Sequence, residues 1–283
     1  MNGFLLIDKP AGYTSRDIST QVGKLLYTKK VGHVGTLDPF ATGLLILMVN
    51  KATKSLICFE DFPKRYVATI KLGEYRDSLD LTGAVIETKE VPILTKEKVE
   101  NVLQSFLGKS MQTVPLTSAK HVNGKRLYEY AHKGQEIELP TQEIEVYDIK
   151  LVDFNNDKIT FEAFVSKGTY IRTLGADIAN RMGTCGFLES LRRTNVGPFD
   201  VKDAIKIEEV KEDKIIPTSF VLSEFMKTVI VDDSFALDIK NGKVKVYPLE
   251  ATEDKLLVID QKNEPIALYT KEENQYIFRR GLF

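Results

Sequence analysis

Hydrophobic positions along the first 228 residues follow two different periods, which predicts interleaved strands and helices. Apolar or alternating runs typical of strands occupy residues 3–8, 43–49, 65–72, 143–151 and 158–165. Helical spacing follows a Thr or Ser cap at 14–15 and a Thr cap at 95, and it covers a third segment at 174–182 that Gly183 closes. Because these elements lack strict βαβ spacing, we expect an α+β fold with a mixed, mostly antiparallel sheet core flanked by helices.

The C-terminal part of the chain has a different pattern, in which short strands alternate with turns. FALDIKNGKVKVYPL, KLLVIDQKNEPIALYTK and QYIFRRGLF read as short strands joined by Asn-Gly and Asn-Glu-Pro turns. The sequence therefore predicts two domains, a larger one at 1–228 and a small all-β module at 229–283.

Composition narrows the class of protein. The chain has 43% hydrophobic residues, and its longest apolar run, LLILMV, cannot span a bilayer. The opening MNGFLLIDKP is too short for a signal peptide. Two cysteines, Cys58 and Cys185, fit a reducing compartment, and three scattered histidines form no metal motif. We expect a cytoplasmic protein without a membrane segment or a metal.

Charge is segregated although the net charge is only −1. Residues 1–66 hold nine Lys and Arg against five Asp and Glu, residues 118–135 hold four against one, and residues 166–195 hold five against two. Residues 136–165 and 200–283 are net acidic. Three basic blocks are typical of a chain that builds one positive face for a nucleic acid, although charge alone leaves random variation open.

Four segments carry unusual local chemistry: GHVGTLDP, KRY, SKGTYIRT and LRRT. Together they offer one loop carboxylate, two tyrosines, a histidine and several guanidinium groups, a set that suits gripping a nucleic-acid backbone and stacking a base. Asp38 has two readings from its residues alone, a turn residue before Pro39 or a catalytic carboxylate held on a tight loop. No phosphate-binding loop, dinucleotide fingerprint or hydrolase motif is present.

Seven ordered segments resemble one family, the bacterial tRNA pseudouridine-55 synthases of the TruB type. They are NGFLLIDKPAGYTS, GHVGTLDPFATGLL, KRYVATIKLG, DSLDLTG, NGKRLYEYA, SKGTYIRTLGADI and FLESLRRTNVGPF. The resemblance implies isomerisation of uridine-55 in the tRNA T-loop, by cleavage of the glycosidic bond and reattachment through C5, on a flipped-out base and without a cofactor. It also implies that residues 229–283 form a PUA-like RNA-binding module that grips the acceptor stem.

The resemblance assigns roles to residues at matching positions. Asp38 matches the catalytic aspartate, which acts as nucleophile or base, and Arg172 matches the arginine that pairs with it. We expect this cation to keep the pKa of Asp38 low. Tyr66 matches the tyrosine that stacks on the base and assists at C5. The sequence does not decide whether Asp38 attacks C1′, attacks the base or removes the C2′ proton.

Further residues are implied for the substrate. Tyr170 and Leu191 match the lining of the uracil pocket, and His33 matches a residue that enters the T-loop stack. Asp80 is expected to orient Arg172, with a plain turn residue as the alternative. Six side chains are expected to contact phosphates: Lys64, Arg65, Lys125, Arg126, Arg192 and Arg193.

Two positions depart from the family pattern, Thr117 where a Tyr is common and His121 where a Lys is usual. The expected protein is a monomer whose partner is tRNA. Two alternatives stay open, a synthase for another RNA, including guide-dependent relatives, and an RNA-folding protein in which catalysis is secondary. The absence of basic extensions counts against the first. The retention of Asp38, Tyr66 and Arg172 counts against the second, because binding alone needs no carboxylate facing a polyanion.

Overall fold

The computed structural model describes residues 2–135 and 137–283. The strands are β1 Gly3–Lys9, β2 Val31–Val34, β3 Thr42–Val49, β4 Lys64–Leu72, β5 Glu74–Arg76, β6 Val85–Thr88, β7 Gly108–Thr113, β8 His121–Val122, β9 Lys125–Arg126, β10 Thr141–Phe154, β11 Lys158–Val165, β12 Gly186–Val196, β13 Phe199–Asp200, β14 Ile216–Pro217, β15 Lys227–Val231, β16 Val246–Glu250, β17 Lys255–Asp260, β18 Pro265–Glu272 and β19 Gln275–Gly281. The α-helices are α1 Ser15–Leu25, α2 Lys96–Gln104, α3 Leu127–His132, α4 Ile171–Met182, α5 Thr218–Ser223 and α6 Asp233–Lys240.

A ten-stranded sheet forms the centre of the molecule. Its main path runs β14-β1-β3-β12-β4-β11-β10-β7, with β2 paired to β3 and β13 paired to β12. Its neighbouring strands are antiparallel except for the parallel pair β3–β12. The predicted mixed, mostly antiparallel sheet flanked by helices is therefore confirmed. No helix of the described residues is long and apolar enough to cross a membrane.

Local sequence explains why the predicted helices form. Thr14 caps α1 through a capping box, in which its hydroxyl accepts from the Asp17 backbone N–H and the Asp17 carboxylate accepts from the Thr14 backbone N–H. Thr95 caps α2 through one bond, in which its hydroxyl accepts from the Lys98 backbone N–H. Helix α4 begins at Ile171, three residues earlier than predicted, and Gly183 ends it with a left-handed φ of 92°. This earlier start places Arg172 in the first helical turn.

The second sheet, with strand order β15-β17-β18-β19-β16, is built from the C-terminal residues. One predicted strand here is wrong, because the segment that opens FALDIKNG folds as helix α6. The Asp232 carboxylate caps this helix at Phe235 N–H, and Ala236 and Ile239 are buried at helical spacing. The expected hairpin turn at Asn241 and Gly242 instead ends the helix.

The two sheets share a hydrophobic core. Phe4, Ile46 and Met48 of the large sheet belong to the same buried cluster as Leu257 and Leu268 of the second sheet. The domain boundary at 228 stays a prediction, although strand β15 begins one residue before it.

Candidate active site

Asp38 lies in the loop between β2 and β3, and two neighbouring elements fix this loop. The Ser15 hydroxyl at the start of α1 accepts from Leu37 N–H at 2.9 Å and contacts the Leu37 carbonyl at 3.2 Å. From the other side, the buried ammonium of Lys9 donates to the Pro39 carbonyl at 3.2 Å. Burial lowers the pKa of Lys9 to about 8. The Asp38 backbone is thus held from both sides while its side chain keeps 33% of its surface exposed.

Arg172 pairs with Asp38 through two atoms. Its Nη2 donates to Asp38 Oδ1 at 3.3 Å, and its Nε lies 3.0 Å from Asp38 Oδ2 in an ion pair. The remaining N–H groups donate to the Thr117 carbonyl at 3.0 Å, the Thr117 hydroxyl at 2.5 Å and the Ser78 carbonyl at 2.8 Å. Every nitrogen of the guanidinium therefore contacts a protein oxygen, in a side chain that is only 4% exposed. Such a guanidinium is fixed in place, unlike the surface arginine on a strand that its residues alone favour.

The start of α4 is anchored so that Arg172 cannot drift. The buried Gln112 side chain accepts from Tyr170 N–H at 2.8 Å and donates to the Tyr170 carbonyl at 3.0 Å. A second amide, that of Gln142, donates to the Gly168 carbonyl at 2.7 Å. These contacts join the turn before α4 to strands β7 and β10 of the large sheet.

The electrostatics of Asp38 differ from the expectation. Burial raises the pKa of Asp38 above its ordinary value, the nearby Asp80 charge raises it further, and the Arg172 guanidinium opposes both without cancelling them. The expected low pKa is therefore wrong in its net direction. The reason is that the carboxylate loses water on the loop side while only its outer face stays open.

Asp80 lies on the far side of Arg172 and is 5% exposed. Its Oδ2 lies 3.6 Å from Arg172 Nη1. Its Oδ1 accepts from the Ser78 hydroxyl at 2.8 Å and from the N–H and hydroxyl of Thr82 at 2.9 and 2.5 Å. The preceding residue, Leu79, adopts a left-handed φ of 62°. The loop thus presents both the Asp80 carboxylate and the Ser78 carbonyl to Arg172, which is more than a plain turn residue would do.

Asp38 and Arg172 open onto a cavity of about 1610 Å³. Tyr66, Tyr170 and Leu191 line it close to the pair. Tyr66 and Leu191 come from the paired strands β4 and β12, on the face that points into the cavity. Both are nearly buried, at 7% and 6% exposure, so they form walls rather than free surface.

His33 also lines the cavity, but in strand β2 rather than in an open loop. Its Nε2 lies 3.2 Å from the Thr36 hydroxyl, and its Nδ1 lies 3.4 Å from the Ser19 hydroxyl. Burial and the charges of Arg193 and Arg16 lower the pKa of His33, so the ring is neutral at pH 7. The His33 side chain is therefore only partly exposed to the cavity.

The charged side chains that line the cavity are almost all basic. Eight basic side chains line it: Arg16, Lys24, Lys29, Lys64, Lys120, Arg126, Arg172 and Arg193. Among the described residues that line it, Asp38 is the single carboxylate. All three basic blocks of the sequence contribute, which is the convergence that charge alone left open.

The expected phosphate contacts divide into two groups. Lys64 and Arg126 line the cavity, and the exposed Lys125 lies beside Arg126 in the β8–β9 hairpin. Burial lowers the pKa of Lys64 to about 8. The structure does not bring the other three arginines to the cavity as available cations, for the reasons that follow.

Arg65 points to the opposite face of β4 and pairs with Glu162 at 2.7 Å. Arg192 forms a two-pronged pair with Asp8 at 3.0 and 2.8 Å. Arg193 is 1% exposed and donates to the carbonyls of Leu44 and Gly35. The phosphate contact of Arg193 stays a prediction, and the burial of its guanidinium and its bonds to two backbone carbonyls speak against it.

The sequence interpretation missed the role of several residues that hold the site. Thr117 stands out in the sequence only as a departure from the family's Tyr, yet it supplies two of the four hydrogen-bond acceptors of Arg172. Gln112 and Lys9 drew no attention because a glutamine or lysine within a strand is usually solvated. Their burial, at 3% and 0% exposure, is visible only after folding.

Comparisons with known proteins were made on the whole chain. A family model described as TruB family pseudouridylate synthase (N terminal domain) matches residues 24–171, and one described as tRNA pseudouridylate synthase B C-terminal domain matches residues 172–230. A protein of Caldicellulosiruptor saccharolyticus named tRNA pseudouridine synthase B is 41% identical over 86% of this chain and 83% of its own length. A protein of the same name from Onion yellows phytoplasma is 37% identical over 98% of both chains.

Solved structures support the fold. A chain in a structure titled "Crystal Structure of a Cbf5-Nop10-Gar1 Complex" superposes with a TM-score of 0.74 at 22% identity. The superposition covers 99% of this protein and 85% of the chain in that structure. At this identity the similarity concerns the fold alone.

Proposed function

This chain belongs to the TruB family of pseudouridylate synthases, and we propose that it converts uridine-55 in the T-loop of tRNA to pseudouridine. In this reaction the N1–C1′ bond breaks, the uracil turns, a C5–C1′ bond forms, and C5 loses its proton while N1 gains one. The observation that carries the proposal is the Asp38 carboxylate, alone among the described residues that line the cavity and held by a buried guanidinium among basic side chains. A carboxylate there repels the RNA backbone, so it has a task other than binding.

Asp38 is the group that acts on the uridine. Two contacts from Arg172 favour its ionised form and fix the orientation of both oxygens, while their remaining lone pairs stay open to the cavity. Attack on C1′, attack on the base and removal of the C2′ proton all use this carboxylate in much the same place. Arg172 is a positioning residue in each case, because its own donors are occupied by protein acceptors.

The walls of the cavity suit a base that has left its stack. Tyr66 offers a ring for stacking on the extruded uracil, and Tyr170 and Leu191 close the pocket around it. His33, neutral and placed on the cavity wall, fills the space that the base vacates in the T-loop. These contacts offset the few kcal/mol that flipping a base costs.

The RNA backbone is held by basic side chains in and beside the cavity. Lys125 and Arg126 on the β8–β9 hairpin and Lys64 beside Tyr66 provide three cations for phosphates. Such contacts provide affinity and salt dependence rather than sequence choice.

The test is tritium release from a tRNA transcript that carries 5-tritiated uridine, with the wild type compared against Asp38→Asn. C5 loses its hydrogen only if the new glycosidic bond forms there. The expected result is release by the wild type, loss of release in the variant with tRNA binding retained, and pseudouridine mapped to position 55. Pseudouridine at another position or in another RNA would favour a different substrate. Tight binding without release would favour an RNA-folding role.

A further inference from the structure

We propose that the cavity-facing side of α1 and the turn after it dock a backbone strand of the RNA substrate, with Tyr27 as a stacking platform for a base. This inference rests on the proposed RNA substrate but concerns a different surface from the reacting centre. The residues are Arg16, Thr20, Lys24, Tyr27 and Lys29, and together we call them the α1 wall.

The α1 wall is a product of helical spacing. Ile18 and Val22 are fully buried on the core side of α1. Arg16, Thr20 and Lys24 recur every four residues on another side, are exposed and line the cavity. At about 1.5 Å per residue, Arg16 and Lys24 lie about 12 Å apart along the helix. The wall therefore extends the basic cavity well beyond the reach of a single uracil.

The cations of the α1 wall are available to a ligand. Within the described part of the chain, Arg16, Lys24 and Lys29 form no ion pair. The nearest acid along the helix, Asp17, is occupied by the N–H and hydroxyl of Thr14 at 2.9 and 2.7 Å. Arg65 and Arg192, by contrast, are each paired with a carboxylate. Unpaired cations in a row match the charge of a phosphodiester strand.

Tyr27 adds an aromatic surface at a conformational cost. It follows the C-cap of α1 in the left-handed region, with φ of 50°, where glycine is favoured. Thr28 N–H bonds to the Gly23 carbonyl and Tyr27 N–H bonds to the Lys24 carbonyl, which is the usual glycine-ended helix motif. The ring is 97% exposed, so it gives the fold no packing in return. A strained, exposed ring beside free cations indicates a ligand that carries both phosphates and aromatic bases.

The electrostatic test measures affinity for an unmodified tRNA transcript across a series of salt concentrations. The triple variant Arg16→Gln, Lys24→Gln, Lys29→Gln should bind more weakly at low salt. The slope of log Kd against log salt should fall by about 0.7 to 0.9 for each phosphate contact removed. The matched control is Lys206→Gln, Lys211→Gln, Lys214→Gln, which removes three exposed lysines outside the cavity and should keep the wild-type slope. A wild-type slope in the α1 variant, or an equal loss in the control, would overturn the proposal.

The stacking test compares Tyr27→Ala with Tyr27→Phe. The alanine variant should bind about tenfold more weakly at every salt concentration with an unchanged slope, and the phenylalanine variant should bind as the wild type does. Both should keep the wild-type kcat for tritium release at saturating tRNA, because Tyr27 lies away from the reacting atoms. Equal affinity of the two variants would refute the stacking role. If binding changes as expected but the wild type releases no tritium, the docking surface stands and the proposed reaction fails.

Discussion

Replacing Thr117 with valine tests whether the geometry of Arg172 controls the ionisation of Asp38. The Thr117 hydroxyl accepts from Arg172 Nη1 at 2.5 Å, and valine keeps the shape of the side chain but removes this acceptor. The N–H left behind belongs to a guanidinium that is 4% exposed, so water cannot replace the bond. An unpaired buried donor costs about 1–3 kcal/mol. We expect a loss of about 1–2 kcal/mol in the free energy of unfolding, since Asp80 Oδ2 lies only 3.6 Å from the same nitrogen.

The catalytic effect follows from this relaxation. As Nη1 moves towards Asp80, Nη2 moves away from Asp38 Oδ1, a contact that is already 3.3 Å long. The pKa of Asp38 is raised by burial and held back by Arg172, so a weaker pair lets it rise further. Because the proposed reaction uses the ionised carboxylate, activity should be lost at a higher pH than in the wild type as the pH falls. We also expect kcat to fall roughly tenfold, as a misaligned catalytic group costs that much or more.

The assay is tritium release at saturating tRNA from pH 5 to pH 8, with thermal unfolding measured on the same samples. Thr117→Ser is the matched control, because it keeps the hydroxyl acceptor. Its acid limb, the fall of activity on the low-pH side of the profile, should match that of the wild type. The reasoning is refuted if the valine variant has the wild-type acid limb, or if the serine and valine variants shift together. A loss of stability without a shift in the pH profile would show that Thr117 only supports the fold.

Three further substitutions probe the same framework. Asp80→Asn removes a charge that raises the pKa of Asp38, so its acid limb in the tritium assay should move to lower pH, opposite to Thr117→Val; a move to higher pH contradicts the assignment. Arg172→Lys has three donors for the four acceptors that the guanidinium meets, so kcat should fall roughly a hundredfold while tRNA affinity changes little, as filter binding can check. Removal of residues 229–283 exposes the part of the hydrophobic core where Phe4 clusters with Leu257 and Leu268, so residues 1–228 alone should show no cooperative thermal transition. A transition at the wild-type temperature would show that they form an independent domain.

Much of the fold was open to prediction because its elements carry strong local signals. Strand β3 carries a continuous apolar run at 44–49 that follows Gly43, and α1 has a capping box and a core face at helical spacing. Helix α6 was mistaken for a strand because Asn-Gly is the strongest hairpin signal, whereas here it follows a short helix. That error arises from tertiary packing, since the Ala236 and Ile239 face is recognisable only once the second sheet lies against it.

The candidate site was predictable to a different extent. The pairing of Asp38 with Arg172 came from a family resemblance, since 134 positions separate the two residues and no local pattern links them. The arginines at 192 and 193 show the limit most clearly. Adjacent strand residues point to opposite faces, so at most one of them could enter the cavity, and the sequence does not say which one is buried. In the structure one pairs with Asp8 and the other lies within the core.

The cavity must satisfy two opposing electrostatic demands, and the structure separates them by burial. It has to attract a polyanion, yet it has to hold a carboxylate that repels one. Arg172 balances Asp38 locally and, with each of its three nitrogens held by protein oxygens, cannot be drawn to a phosphate. The cations that remain free, such as Lys24 and Arg126, lie at the exposed rim. Substitutions of buried basic groups should therefore act on kcat and those of exposed ones on KM, since only the exposed ones are placed to meet the proposed RNA substrate.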